Sequence, residues 1–229
     1  DRAPMCGVPY HSCEPYIGKL IEKGYKVAIC EQMEDPKLAK NLVKREVTRI
    51  ITPGTLIETD LLNERANNYL ATIYFDGSSI GMCFSDISTA FMTATAFRDR
   101  YSEEDVINEL STYSPREIIL SCAAKSLPKV AEHVKKRMKV LLTEAATDYF
   151  DPDEAIERAE KQFSTDSTAG RPRSAVIAVG AALKYIAETQ KTDISYLKKL
   201  SFYDSSAYLE MDLSTRRNLE LCETMLTKE

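Results

Sequence analysis

The sequence has no surplus of positive charge. Its 30 Lys and Arg stand against 35 Asp and Glu, for a formal net charge of −5 over 229 residues. That excludes the whole-surface basic field of a small nucleic-acid-binding domain, so any contact with nucleic acid must come from local patches. No apolar run of 18 residues and no signal-peptide pattern occurs, and the expectation is a soluble chain with no membrane contact. There is no Cys-x-x-Cys pair among the six cysteines, at positions 6, 13, 30, 83, 122 and 222. Cys30, Cys83 and Cys122 sit in apolar runs, where a free thiol behaves as a small hydrophobe, and a reduced, cytosolic chain is expected. Cys6, His11 and Cys13 match no standard zinc spacing and lack a fourth ligand, so no metal is expected. A GxxxxGK[ST] loop is absent, so nothing would cradle nucleotide phosphates in that way, and neither ATP hydrolysis nor a cofactor is expected of this chain. Internal repeats and low-complexity tracts are also missing.

What is present is ordinary globular composition, 44% hydrophobic and 28% charged, enough for one large or two small domains. Residues 12–52 read as helix, strand, helix, strand. Pro15 lies in the first turn of the first helix and Gly24 stops it. Tyr25–Cys30 reads as a buried strand. Asp35 and Pro36 open a second helix as N-cap and first helical residue. Val47–Thr52 is a strand ended by Pro53-Gly54. Residues 57–66 are a linker. From Asn67 three strands follow in series, at Tyr69–Phe75, Ile80–Ser85 and Phe91–Ala96, the first two joined through the turn signal Asp76-Gly77-Ser78-Ser79. A helix (103–112), a strand (117–121), a helix (127–136), a strand (140–143) and two helices (153–163, 175–189) complete the pattern. Three antiparallel strands and then β-α-β units imply an α/β fold, a mixed sheet with helices on its faces; the order resembles the ribonuclease-H-like arrangement. Residues 190–213 read as linker and extended chain. Ser214 then caps a helix with Leu219, Cys222, Met225 and Leu226 on one face. The chain opens without an initiator Met and closes inside that amphipathic pattern. An isolated helix of this kind gains little stability, and flanking segments are expected on both sides.

Three stretches carry a family likeness. They are Pro4-Met5-Cys6-Gly7-Val8-Pro9-Tyr10-His11; Val27-Ala28-Ile29-Cys30-Glu31-Gln32 with Arg49-Ile50-Ile51-Thr52-Pro53-Gly54-Thr55; and Asp212-Leu213-Ser214-Thr215-Arg216-Arg217-Asn218-Leu219-Glu220-Leu221. In order and spacing this sequence resembles the MutS family of DNA mismatch-repair proteins. The resemblance implies the end of a mismatch-binding domain (1–56), a connector domain (67–190) and the start of the lever region (191–229). It implies a homodimeric clamp in the bacterial cytosol, associated with the nucleoid, that binds mismatched duplex DNA, uses ATP and Mg and recruits MutL. The family's F-x-E motif would lie before residue 1, and its clamp and ATPase after residue 229.

Several residues are candidate sites. Lys37, Lys40 and Lys44 recur at helical spacing with Arg45 and Arg49 behind them, five bases against one acid, Glu46. Such a stripe can sit on phosphates or be a solvated helix face. By resemblance, Met5 and Gly7 approach the minor groove, the Met as a wedge and the Gly as a point of close backbone approach; the alternative is a packed loop between Pro4 and Pro9. Gln162 and Phe163, within Glu160–Ser164, are candidate contacts for MutL beside an accessible loop. Alternatively Phe163 is buried and Gln162 caps its helix. Arg216 and Arg217 follow a helix start, where the dipole disfavours cations, which suggests interdomain partners. A metal-dependent nuclease would draw on Asp76, Asp86, Glu109 and Glu117, although Asp76 is simpler as a turn residue. A pure protein-interaction module is the other alternative.

Overall fold

The computed structural model describes residues 7–35, 43–56, 67–98, 103–121, 126–205 and 215. The first unit is small. Helix α1 (Cys13–Glu22) follows a 3-10 turn and ends at Lys23, with Gly24 at φ +79°. Strands β1 (Val27–Gln32) and β2 (Arg45–Ile51) pair antiparallel with an irregularity between Ile29 and Cys30. Ile21, Ile51 and Leu56 form its buried cluster, with Ile17, Val27 and Ile29 packed at its edge. The expected buried strand at Tyr25–Cys30 needs correction. It begins at Val27, only alternate residues are half-buried, and Cys30 is exposed, because α1 covers one face of a two-stranded ribbon. The helix expected after Asp35 falls on residues outside those described.

The second unit is a six-stranded mixed sheet. It contains β3 (Tyr69–Phe75), β4 (Ser79–Asp86), β5 (Phe91–Arg98), β6 (Glu117–Leu120), β7 (Leu141–Glu144) and β8 (Lys199–Phe202) in the order β7-β6-β3-β4-β5-β8. β3, β4 and β5 are antiparallel neighbours. β6 joins β3, β7 joins β6 and β8 joins β5 in parallel. Asp76 drives the first reversal as the sequence suggests, its Oδ1 accepting from the backbone of Ser78 (2.8 Å) and Ser79 (2.7 Å).

Strand periodicity sends alternate residues to two cores. On one face Leu70, Cys83, Met92, Ala94 and Ile119 pack beneath α6 (Arg173–Gln190), over which α4 (Pro152–Phe163) crosses. On the other, Ala71, Ile73, Met82, Phe84 and Ile118 meet α2 (Glu103–Tyr113) and α3 (Pro128–His133). The helix expected through Lys136 has a break in pattern. After α3 the chain widens to a π turn at Val134–Met138, and Lys139 ends it in the left-handed region, its N–H reaching the Val134 carbonyl. The wider turn keeps Val130 and Val134 together in the core.

The segment expected to be linker and extended chain contains β8. Leu197 is fully buried, and Leu200 and Phe202 pack on the α6 core. Ser201 Oγ donates to Thr93 Oγ1 (3.0 Å), and just beyond the strand Tyr203 Oη donates to Glu109 Oε2 (2.6 Å). Burial, then the hydrogen bond and charge of Glu109, push the Tyr203 phenol well above its ordinary range. The helix expected after Ser214 lies outside the described residues, apart from Thr215.

α6 lies close to both its neighbours because small residues line it. Fourteen of its residues are buried, among them Ala175, Ala178, Ala181 and Ala182. A Cβ at Gly81 on β4 would come within 1.9 Å of the Ser174 carbonyl oxygen, and one at Gly180 within 2.0 Å of the Ala155 carbonyl oxygen. Backbone cannot yield as a side-chain tip can. Gly81→Ala and Gly180→Ala are therefore expected to cost about 3 kcal/mol each, or roughly 6–12 °C in Tm for a chain of this size. Gly7→Ala, where an added Cβ meets nothing within 4 Å, should stay within about 0.5 kcal/mol. Equal Tm values for all three by calorimetry would contradict this packing.

Candidate functional site

The most concentrated polar chemistry lies where the two units meet. Glu117, the first residue of β6, has a side chain with no solvent exposure. Its Oε2 accepts from Thr52 Oγ1 (2.5 Å) and the Gly54 N–H (3.2 Å). Its Oε1 accepts from Tyr185 Oη on α6 (2.6 Å) and Thr143 Oγ1 on β7 (3.3 Å), with Lys26 Nζ at 3.4 Å. Lys26 also donates to Thr143 Oγ1 (3.0 Å) and Tyr185 Oη (2.9 Å) and lies over the Tyr185 ring. Burial, then the adjacent Glu117 charge, push the Tyr185 phenol far above its usual range, so it remains a donor.

The turn Thr52-Pro53-Gly54-Thr55 fits this carboxylate by its own geometry. The Thr52 and Thr55 hydroxyls lie 2.8 Å apart, and Thr55 N–H donates to the Thr52 carbonyl (3.1 Å). Asn68 Nδ2 donates to the Pro53 carbonyl (2.9 Å) and Gln190 Nε2 to the Thr55 carbonyl (2.7 Å). A Cβ at Gly54 would be 2.8 Å from Glu117 Cβ, so this is also the point of closest approach. Three elements of the second unit thus hold one turn of the first. The arrangement supplies no nucleophile or transferable proton poised for chemistry; it fixes the angle at which one unit leaves the other.

Beside it opens a cleft of about 480 Å³ lined by Lys26, Ile50, Tyr149, Tyr185, Glu188, Thr189 and Lys191. Tyr149 donates a short hydrogen bond to Glu188, and Lys184 reaches Asp148 Oδ2 (2.5 Å) across the Tyr149 ring. These side chains brace α6 against the 3-10 turn Thr147–Phe150.

The nuclease carboxylates are not brought together. Asp76 and Asp86 stand at opposite ends of the β3–β4 pair, roughly 20 Å apart at strand rise. Tyr69 pairs with Asp86 and Leu70 with Glu117, so Asp86 and Glu117 lie on opposite faces. Among the described residues no group of three His, Cys, Asp or Glu is placed to hold a metal.

Of the sequence candidates for DNA contact, Met5, Lys37 and Lys40 lie outside the described residues, as do Arg216 and Arg217. Gly7 is exposed. The helical stripe does not extend to Lys44, which leads into β2, or to Arg45 and Arg49 within it. Lys44 Nζ is 2.6 Å from Glu46 Oε1; this hydrogen-bonded pairing raises the Lys44 pKa and lowers that of Glu46. Arg49 is half-buried, and its charge partly offsets the upward push that burial gives Tyr196, in the loop before β8. It therefore lies near that loop. At the partner patch the structure follows the alternative for Phe163 but not for Gln162. Phe163 is buried in the α6 core. Gln162 caps nothing on its own helix; its Nε2 donates to the carbonyls of Ile194 (3.0 Å) and Leu197 (2.8 Å), tying down the approach to β8. Gln162→Lys would thus cost about 1–3 kcal/mol, not a surface change's few tenths.

Sequence reading weighed Glu117 only as a nuclease ligand. The available signal was an acid opening an otherwise apolar strand, Glu117-Ile118-Ile119-Leu120.

Residues 1–60 match the family model for MutS domain I and residues 68–200 that for MutS domain II. The chain belongs to the MutS family. It is 40% identical over 228 residues to the DNA mismatch repair protein MutS of Clostridium tetani, covering 99% of this chain and 25% of that protein. It is 42% identical over 228 residues to MutS of Caldicellulosiruptor bescii, covering 100% and 25%. The chain therefore spans about a quarter of the length of the curated MutS relatives it matches. The boundary between the two matched MutS domains falls just after the turn that Glu117 holds. Among the described residues no helix is long and apolar enough to cross a membrane.

The junction predicts a ranking. Glu117→Ala leaves Thr52, Gly54 and Tyr185 without their acceptor and should cost about 3–5 kcal/mol. Lys26→Met should cost less, about 1–2 kcal/mol, since Lys26 stands 3.4 Å away with its side chain 34% exposed and Glu117 keeps its four hydrogen-bond donors. Urea unfolding checks both; equal losses would contradict the carboxylate-centred account.

Proposed function

We propose that this chain is the segment of a mismatch-repair protein that couples the mismatch-reading domain to the rest of the molecule. The division proposed is a mismatch-binding part over 1–56, a linker at 57–66, a connector from 67, and a lever region opening after it. The connector was expected to end at 190; the pairing of β8 with β5 supports an end near 203. The strand order β5-β4-β3-β6-β7 supports a ribonuclease-H-like connector, with β8 added at its edge. One observation carries the reading: the Thr52–Thr55 turn is gripped by Glu117, Asn68 and Gln190. A rigid joint transmits a displacement of the DNA-reading part; a loose tether does not.

In the whole protein, the reading comprises a homodimer on mismatched duplex DNA in the bacterial cytosol, ATP and Mg used elsewhere in the molecule, and MutL as partner. Met5, Gly7, Lys37, Lys40 and Lys44 are proposed on the DNA side, and Arg216 and Arg217 as interdomain contacts. Arg49, at the inner side of the β1–β2 ribbon, is proposed with the DNA group. For MutL, the end of α4 remains the proposed surface, with Gln162 and Phe163 shaping it from beneath.

A chimera tests the coupling. This chain replaces the corresponding quarter of the Clostridium tetani protein, and heteroduplex affinity and mismatch-dependent ATPase stimulation are measured. Lys26→Glu places two acids together at the joint. It should leave heteroduplex affinity within about threefold while lowering the stimulation at least tenfold, about 1.4 kcal/mol. Undiminished stimulation in a folded Lys26→Glu chimera would refute the coupling role.

A further inference from the structure

The end of α3 and its π turn form a cationic surface that neither the junction nor the core uses. Between Pro128 and Val140 lie Lys129, Lys135, Lys136, Arg137 and Lys139 against one acid, Glu132, in a chain whose net charge is −5. Lys129 is paired with Glu104 and Lys136 with Glu132. Lys135, Arg137 and Lys139 are exposed and have no ion pair among the described residues. Arg116 adds to them. It immediately precedes β6, Lys139 nearly precedes β7, and these strands pair in parallel with Glu117 opposite Leu141. Both cations therefore stand at the same end of the sheet, where β6 and β7 begin. Arg137 also lies near enough to His133 to oppose its protonation, after burial, which is the larger influence.

A helix C-terminus favours one or two cations through its dipole, an effect confined to the last turn. That accounts for Lys135 and Lys136. It does not account for Lys139, beyond the helix end in the left-handed conformation, or for Arg116 on another element. Like charges held together cost free energy unless an anion neutralises them. A π-type widening inside a helix is also an uncommon feature that is frequent at functional sites, and here it carries Lys135, Lys136 and Arg137.

We propose that Arg116, Lys135, Arg137 and Lys139 form a second, sequence-independent contact for the phosphate backbone of duplex DNA, on the connector and separate from the mismatch-reading part. The duplex is favoured over an acidic protein surface because its charges are dense and regular, about one per 1.7 Å of helix axis, and because the chain belongs to a DNA-repair family. The proposal rests on the DNA-binding part of the reading above but not on the interdomain coupling, and its test leaves the junction untouched.

The test uses the 229-residue chain and a fluorescent 30-base-pair homoduplex, with binding followed by anisotropy from 20 to 200 mM salt. The triple variant Lys135→Glu/Arg137→Glu/Lys139→Glu is compared with a control, Lys161→Glu/Lys198→Glu/Lys199→Glu, after thermal melting confirms that each is folded. Lys→Gln and Arg→Gln replacements serve if charge reversal impairs folding. The patch variant should bind at least tenfold more weakly at low salt. The slope of log affinity against log salt should fall by about 2–3, since each lost phosphate contact removes about 0.9. The control should keep both within about twofold. No binding by the wild type, unchanged binding by the patch variant, or an equal loss in the control would each overturn the proposal. So would displacement of the duplex by polyglutamate at equal charge concentration, which would assign the patch to acidic protein.

Discussion

A carboxylate shut away from water on the inner end of a sheet strand requires donors around it, and the position of those donors constrains everything nearby. Glu117 is in that situation. Its two oxygens draw on a turn of the first unit, a tyrosine on α6, a threonine on β7 and a lysine at the head of β1. An apolar residue of similar size would tolerate sliding between these elements; a carboxylate that would lose several hydrogen bonds does not. The geometry of the MutS domain I–domain II joint follows from this one side chain more than from buried area, since the first unit's own core amounts to Ile21, Ile51, Leu56 and their half-buried neighbours.

The second constraint is the closeness of α6. Because Gly81 and Gly180 admit backbone against backbone, α6 sits deep between the sheet and α4 and delivers Tyr185 to Glu117 and Gln190 to Thr55. Thr72 Oγ1, from β3, donates to the Ala178 carbonyl on the same helix (2.9 Å). The core and the joint are thus one construction. A change that lifts α6 also withdraws two of the side chains that hold the turn.

Much of the connector was legible in the sequence. The strands near 69, 80, 91, 117 and 140 and the helices near 103, 153 and 175 stand close to where their apolar periods put them, because each buries one clear face. β8 was legible only as extended chain, because four residues at a sheet edge, preceded by Lys198 and opening on Lys199, show too little alternation, and its partner β5 lies far back in the chain. The π turn was missed because Lys135–Arg137 read as more helix; only the tertiary demand on Val134 reveals the widening. The joint was half legible. The Thr-Pro-Gly-Thr turn was visible as a family stretch, and Glu117 as an oddly placed acid. That the two meet depends on a contact across 63 residues or more, which no local pattern carries. For Phe163 and Gln162 the sequence left two readings open, a surface patch or a buried ring with a capping amide, because a helix end beside a polar loop allows either. Here Phe163 turns inward and Gln162 holds the approach to β8, while Lys161 and Ser164 stay exposed at that end.

Native-state hydrogen exchange tests the joint most directly. If the Glu117 clasp makes the two units cooperative, the amides of β2 and of Gly54 and Thr55 should open with the same free energy as those of β3 and β6, and show the same denaturant dependence. If β2 and the turn exchange through a separate opening several kcal/mol less costly, while the six-stranded sheet remains protected, the clasp does not unite them and the account is contradicted.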